Sequence, residues 1–337
     1  MHQQRPQTLV AMGHGIAERV LTGAVVDRLV EVADVDPALV ASDFDTHQVR
    51  KALARAEVLL TSWGCPPLTE EVLSEAPRLR AVVHAAGTVK MHVTDACWDR
   101  GIRVSSAATA NAMPVAEYTV AAVLWANKRV LEIGAEYQRS RTFIDWGGAN
   151  PDLGNYGKTV GVVGASRVGR RVMELLRHFD LRVLLADPYV HGEEGAAYGA
   201  SVVPLDELLA ASDVVSVHAP DIPSTRHLID ADGLAGMRDG SVLINTARPA
   251  VIDQQALTNE LVSGRLSAIL DVTSPEPLPP DSILYDLPNV FLTPHVAGSL
   301  GGELARIAET AVDELERYSL GLPFVHEVKP EELERSA

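Results

Sequence analysis

The first residues able to do chemistry form a loop, Gly164-Ala165-Ser166-Arg167-Val168-Gly169, between a predicted strand at Thr159–Val163 and a predicted helix. Gly164 and Gly169 hold the first and third places of a G-x-G-x-x-G pattern, and Ser166 holds the second. In such a loop the first glycine permits a tight turn and the third permits close helix–strand packing. The middle one lets the backbone approach a pyrophosphate lying on the helix N-terminus. Serine is small enough for that place but departs from the pattern, so the loop alone reads equally well as a plain turn. The next predicted strand, Arg182–Ala186, decides the matter, because it ends at Asp187, 18 residues after Gly169. A carboxylate there accepts hydrogen bonds from ribose hydroxyls and repels a 2′-phosphate, which favours NAD over NADP. A solvated Asp capping the turn before Pro188 is the poorer reading once strand, loop, helix, strand and acid occur in order. Gly13-His14-Gly15 also follows a predicted strand, but no third glycine or matching acid supports it.

Three further segments end predicted strands with polar residues suited to acid–base work. They are Ile244-Asn245-Thr246-Ala247-Arg248, Asp271-Val272-Thr273-Ser274-Pro275-Glu276-Pro277-Leu278 and Leu292-Thr293-Pro294-His295. Ligands of open α/β sheets bind outside the carboxyl ends of the strands, so these positions should converge near the dinucleotide. Taken singly, an Arg after a strand is often a surface ion-pair partner and a Pro-His turn is often structural. His84 and His92 read as structural, and His218 as either touching cofactor or capping a strand.

The elements that must carry these residues follow from the apolar pattern. Short Val/Leu/Ile-rich runs alternate with longer amphipathic segments, which implies βαβ units and parallel sheets. Strands are predicted at Thr8–Met12, Glu57–Ser62, Leu79–Ala85 and Ile102–Ser105. A second series follows at Thr159–Val163, Arg182–Ala186, Val214–Val217, Ser241–Asn245, Ala268–Val272 and Val290–Thr293. Ala108–Pro114 leads into a helical pattern from Val115 to about Tyr137. The Gly-rich stretch Asp145–Gly157 reads as a domain junction, and a last helix is predicted from Gly302 to about Ser319, before a charged tail at Lys329–Ala337.

At this point the chain resembles the D-isomer-specific 2-hydroxyacid dehydrogenases. The resemblance is carried, in order, by Asn111-Ala112-Met113-Pro114-Val115-Ala116-Glu117, the Gly164–Gly169 loop, His218-Ala219-Pro220 with Thr225-Arg226-His227-Leu228-Ile229, and the Arg248, Glu276 and His295 segments. It implies an NAD-dependent enzyme that moves hydride between the nicotinamide and C2 of a small 2-keto or (R)-2-hydroxy acid. Carried over by position, Arg248 would hold the substrate carboxylate and polarise the keto oxygen, with its planar two-point fork. His295 would be the acid/base, and Glu276 would pair with it and fix its tautomer. Asp271 would take the nicotinamide carboxamide. Gly164, Ser166, Arg167, Val168, Gly169, Asp187, Ala219, Pro220, Thr225, Thr246, Ala247 and Gly298 would line the rest of the cofactor site. Ala86, Gly87 and Thr88 would offer backbone N–H groups to the substrate carboxylate beside a wall at Trp63. Two departures stand out: Gly87-Thr88-Val89-Lys90 replaces the family's Gly-x-Asp, and Pro249 follows Arg248 where Gly is common.

The resemblance also implies the architecture: two doubly wound parallel-sheet α/β domains, a Rossmann cofactor domain (residues 115–300) inserted into a flavodoxin-like substrate domain (1–114 plus 301–337). A homodimer is expected, with the long Val115–Tyr137 helix near its interface. Two alternatives remain. One is a D-3-phosphoglycerate dehydrogenase, although the chain ends at Ala337 without room for a regulatory domain. The other is an NAD-sensing, corepressor-like binding protein. Size and composition agree with two domains: 337 residues at about 150 per domain. Two cysteines, Cys65 and Cys97, form no CxxC pair, which speaks against a disulfide scaffold and a structural metal and suits a reducing cytoplasm. A formal charge of −16 repels phosphate backbones, so nucleic acid is not an expected partner. Met1–Val20 lacks a basic n-region followed by an apolar h-region, so no secretory signal is expected there, and no apolar run approaches the ~20 residues a membrane span needs.

Overall fold

The computed structural model describes residues 5–333. The strands run β1 (Thr8–Ala11), β2 (Val40–Ala41), β3 (Val58–Thr61), β4 (Ala81–His84), β5 (Arg103–Ser106), β6 (Thr159–Val163), β7 (Arg182–Ala186), β8 (Ala200–Val202), β9 (Val214–Val217), β10 (Val242–Asn245), β11 (Ser267–Leu270), β12 (Val290–Leu292) and β13 (Glu327–Val328). They divide between two compact units. Among the described residues, unit 1 takes in 5–112 and 299–333, and unit 2 is Met113–Gly298.

Unit 1 holds a sheet ordered β2-β1-β3-β4-β5-β13. The first five strands are parallel in the flavodoxin-like 2-1-3-4-5 order. The edge strand β13 runs antiparallel to β5, pairing Glu327 with Ser105, and was not expected from the sequence. Unit 2 holds β8-β7-β6-β9-β10-β11-β12, all parallel, the Rossmann order with one added strand. The inner strands are buried along their full length, as Val58–Thr61 and Val214–Val217 show. Their unbroken apolar runs, rather than an alternating pattern, follow from having helices on both faces. Separate apolar clusters cover the two faces of each sheet, around Leu59 and Leu60 in unit 1 and around Leu243 and Ile244 in unit 2.

The long helix differs from its prediction. It begins at Ala108 and ends at Asn127, with Pro114 inside it. A separate helix covers Val130–Ser140. Arg129 between them has φ +49°, a left-handed conformation that a right-handed helix cannot continue. The last helix, Leu304–Ser319, starts after a 3-10 turn at Gly301–Glu303. The charged tail forms a short helix at Pro330–Leu333, and the remainder lies outside the described residues. Among the described residues no helix is long and apolar enough to cross a membrane.

Candidate active site

In unit 2 the strand order reverses between β6 and β9, where the first crevice residues must lie. Gly164 leaves β6 with φ +97°, and a Cβ on it would stand 2.7 Å from the backbone nitrogen of Ala219, just past β9. A Cβ on Gly169 would stand 2.1 Å from the carbonyl oxygen of Gly164, so both glycines are demanded by backbone contact. Ser166 explains its own departure from the glycine pattern. It is the N-cap of the helix Arg167–Leu176, and its hydroxyl accepts from the N–H of Gly169 at 3.3 Å. The N–H groups of Ser166, Arg167 and Val168 have no acceptor among the described residues, which is what an incoming pyrophosphate needs.

Asp187 is half-buried. One carboxylate oxygen accepts from the N–H of Ala165 at 2.7 Å and the other from Tyr189 at 2.8 Å. The acid therefore braces the loop, and each oxygen keeps a lone pair for a ribose hydroxyl. Thr225 spends its hydroxyl on the Pro220–Ile222 turn. Thr246 is buried, with its hydroxyl 3.2 Å from that of Thr119. His218 resolves as a core residue: its ring is buried, bonded to Ser216 at 2.9 Å, and burial pushes its pKa down to about 3.

Arg248 ends the β10 loop, which Asn245 brackets. The Asn245 side chain accepts from the N–H of Ala247 and donates to the Arg248 carbonyl, both at 3.0 Å. Pro249 opens a 3-10 turn, where its missing N–H leaves no bond unmade. The Arg248 guanidinium is half-buried and gives one N–H to the Ala247 carbonyl at 2.7 Å. Among the described residues no carboxylate forms an ion pair with it. Burial lowers its pKa, while Asp221 and Glu276 act in the opposite sense. Glu276 thus lies within electrostatic reach of Arg248 and also accepts from His295, whose Nδ1 is 2.9 Å from its Oε1. The three residues come together in unit 2.

His295 has φ +55°, a left-handed backbone unusual for a side chain of its size. Its turn is held by Asp271. The buried Asp271 carboxylate accepts from the Thr293 hydroxyl at 2.6 Å and from the N–H groups of Val296 at 2.8 Å and Ala297 at 2.9 Å. Asp271 was expected on the cofactor's carboxamide; the structure commits most of its capacity to this turn, which runs on to Gly298. Tyr118, which sequence reasoning missed, extends the network, with its hydroxyl 2.8 Å from that of Thr293. It stands one residue past the Ala116-Glu117 motif, and nothing in its spacing marked it.

Unit 1 carries its own candidates past β3 and β4. The N–H groups of Ala86, Gly87 and Thr88 have no acceptor among the described residues, and Gly87 and Thr88 are partly exposed. Successive backbone N–H groups without acceptors are the kind of donors an anion can take up. Asn111 was in a quoted motif but had no assigned role. Its Oδ1 accepts from the N–H of Ser299 at 3.1 Å, which leaves its amide N–H₂ facing Gly87. Trp63 is 39% exposed beside Gly64, which packs on Gly13 so closely that a Cβ there would meet the Gly13 Cα at 2.7 Å. The upstream Gly13 is thus a packing glycine.

Residues 120–297 match the family described as D-isomer specific 2-hydroxyacid dehydrogenase, NAD binding domain. The chain is 34% identical over 282 residues to a D-3-phosphoglycerate dehydrogenase of Mycobacterium bovis, covering 83% of this chain and 52% of that one. It therefore spans about half the length of that relative. It is also 34% identical over 268 residues to a glyoxylate reductase of Korarchaeum cryptofilum, covering 78% of this chain and 80% of the relative. Among solved structures, the TT0316 protein of Thermus thermophilus shares 32% identity at a TM-score of 0.75, over 95% of this chain and 99% of that one. A D-lactate dehydrogenase of Aquifex aeolicus, complexed with NAD and lactic acid, shares 28% identity at a TM-score of 0.72, over 93% and 96% of the two chains. By family match and by relatives of similar length, the chain belongs to the D-isomer specific 2-hydroxyacid dehydrogenases.

Proposed function

We propose that this chain is an NAD-dependent oxidoreductase acting between a small 2-keto acid and the corresponding (R)-2-hydroxy acid. The observation that carries the reading is the trio in unit 2: an Arg248 fork with no carboxylate ion pair among the described residues, and a Glu276–His295 pair at 2.9 Å. The residues around Gly164–Gly169 fit the dinucleotide, since three helix-start N–H groups are free and the Asp187 oxygens keep lone pairs. NAD, when bound, supplies or accepts the hydride at C2. Arg248 holds the acid's carboxylate and polarises the C2 oxygen. His295 gives a proton to that oxygen in reduction and takes it back in oxidation. Its Nδ1–H donates to Glu276, so the lone pair or proton of Nε2 is the one offered to substrate. Unit 1 is read as the substrate-binding domain, on the free N–H groups of Ala86, Gly87 and Thr88.

The test is NADH oxidation with glyoxylate, hydroxypyruvate, pyruvate, bulkier 2-keto acids and 3-phosphohydroxypyruvate. Turnover that disappears in His295→Ala supports the reading; no turnover with any of them sinks it. A preference for the phosphorylated acid would move the assignment to phosphoglycerate dehydrogenase, although Lys90 is the one cation close to the unit 1 loop in sequence.

The partner reading is a second copy of this chain. The amphipathic helix Val130–Ser140 buries none of its residues. It borders a groove of about 370 Å³ lined by Trp125, Leu131, Leu287 and Phe291. An 11-residue helix is marginal in water without a covered apolar face. Sedimentation of the protein and of Leu131→Asp decides this: a dimer that the variant converts to monomer is expected. A cytoplasmic setting is part of the same reading, supported by Cys65 and Cys97, both free and buried.

A further inference from the structure

We propose that Thr61, His84 and His92 form a hydrogen-bond relay that fixes the Ala86–Thr88 loop in its anion-receiving shape, making them positioning residues for the substrate carboxylate. The inference deepens the functional reading above and rests on it. Thr61 ends β3 and His84 ends β4, and the two are register partners on adjacent parallel strands. His92 enters from the following turn, where its N–H donates to the Val89 carbonyl at 3.1 Å and its own carbonyl accepts from Leu68 at 2.8 Å. Both rings meet one hydroxyl: His84 Nδ1 is 2.9 Å and His92 Nε2 is 3.3 Å from Thr61 Oγ1. The ring centroids are 4.4 Å apart, and all three side chains are buried.

Counting protons gives the two rings opposite roles. A hydroxyl carries one, so it donates to one ring, and the other ring must donate to it. One of His84 Nδ1 and His92 Nε2 therefore accepts the Thr61 proton, and the other ring nitrogen donates to the Thr61 oxygen. The scheme needs both rings neutral, with one donor and one acceptor each. Burial provides this, pushing His84 well below the ordinary histidine range and His92 down to about 4.

The relay ends at His92, whose backbone N–H holds the Val89 carbonyl just past the far end of the loop. The near end is tied independently: Ser62 Oγ donates to the Ala85 carbonyl at 2.8 Å, and the Ala85 N–H donates to the Thr61 carbonyl at 2.7 Å. Between these two anchors stand the three N–H groups without acceptors. With the His92 ring released from Thr61, its hold on Val89 slackens and the loop between the two anchors is free to move.

Thr61→Val removes the hydroxyl at nearly constant shape, and Thr61→Ser returns it. The readouts in the full-length protein are amide hydrogen exchange across residues 86–88, KM and kcat for the 2-keto acid used, and NADH affinity by fluorescence. Thr61→Val should speed exchange in the loop and raise the keto-acid KM about tenfold, the worth of one hydrogen bond to a charged group. Its kcat and NADH affinity should stay within about twofold, and Thr61→Ser should restore KM and exchange. Unchanged exchange and KM in Thr61→Val, or a defect that Thr61→Ser does not repair, overturns the relay. Should Thr61→Val not fold, His92→Asn is judged by the same measures. Should the wild-type protein reduce no 2-keto acid, the functional reading fails by itself, and loop exchange alone decides the relay.

Discussion

His295 donates its backbone N–H to the carbonyl of Asp271 at 3.0 Å, and the Asp271 carboxylate takes three further donors from the same turn. One residue at the end of β11 thus holds the segment that presents the imidazole. The left-handed φ of +55° at His295 costs on the order of 1 kcal/mol or more and persists where surrounding bonds over-determine it. Asp271 supplies that over-determination. Its charge also suits the task, because an anion satisfies three N–H or O–H donors at once, with no donor of its own to place.

Asp271→Asn puts an N–H₂ where a donor already points. The substitution should lower the unfolding free energy by about 2–3 kcal/mol, as leaving a buried donor unmet does, and should reduce kcat as the His295 turn loosens. Urea unfolding checks the first and NADH oxidation the second. An unchanged midpoint with full turnover would remove Asp271 from this role.

Glu276→Gln keeps an acceptor for the His295 Nδ1–H and removes the charge. The pair is half exposed, at 52% and 40% of its side-chain surfaces, so its contribution to stability is small, about 0–1 kcal/mol. Its contribution to turnover is larger, since an oriented acid/base is worth about 10²–10⁴-fold. The expected outcome is an unfolding midpoint near wild type with kcat/KM lower by about 10². A variant as active as wild type would show that orientation alone suffices.

Much of this was legible in the sequence because the physics is local. Gly164, Gly169 and Asp187 are fixed by a strand–loop–helix–strand order whose close contacts any larger side chain would break, and Arg248, Glu276 and His295 each follow a readable strand. Other features depend on partners remote in sequence. The hydroxyl of Tyr118 matters through Thr293, 175 positions away. The antiparallel pairing of β13 joins Glu327 to Ser105, and two residues leave no periodicity to detect. The break at Arg129 interrupts an apolar pattern that continues on both sides, so the pattern hid it. His84 and His92 read singly as core residues, and only the fold, which sets Thr61 beside His84 and brings the His92 turn back to it, shows that they share a hydroxyl.

Ser166→Gly restores the glycine pattern and removes the cap on Gly169. A cap lost to glycine costs a few tenths of a kcal/mol, while the free N–H groups at the helix start are unchanged. NADH affinity should therefore stay within about twofold, with a slightly lower unfolding midpoint. A large gain in affinity would mean that the serine hydroxyl obstructs the pyrophosphate.

Acid should destabilise the fold through its buried histidines. The His218 ring, held at about 3 in the folded chain, takes a proton below its ordinary value of about 6.5 once unfolded. Between those values the unfolded state binds more protons. Stability is thus complete above about pH 6.5 and falls as pH drops toward 3, by up to ~1.4 kcal/mol per pH unit for the ring. His92, at about 4, adds a loss of the same sign. Urea unfolding at pH 7.5, 5.5 and 4.5 should show a shallower acid loss for His218→Asn than for wild type; parallel curves would contradict the assignment.

Arg248→Lys separates charge from geometry. Arginine offers five N–H donors in a rigid fork, and one of them is spent on the Ala247 carbonyl. The rest match both oxygens of a carboxylate and, in the same plane, an adjacent keto oxygen. Lysine carries its charge at a single point and its pKa falls readily on burial, and burial already acts on this position against the pull of Asp221 and Glu276. The variant should lose about 10²–10³ in kcat/KM, the scale for one preorganised donor at a reacting oxygen. Because Asn245, not the guanidinium, brackets the loop, NADH affinity and the unfolding midpoint should stay near wild type. A loss confined to KM would assign Arg248 to carboxylate binding alone, and a loss shared by kcat would add polarisation of the keto oxygen.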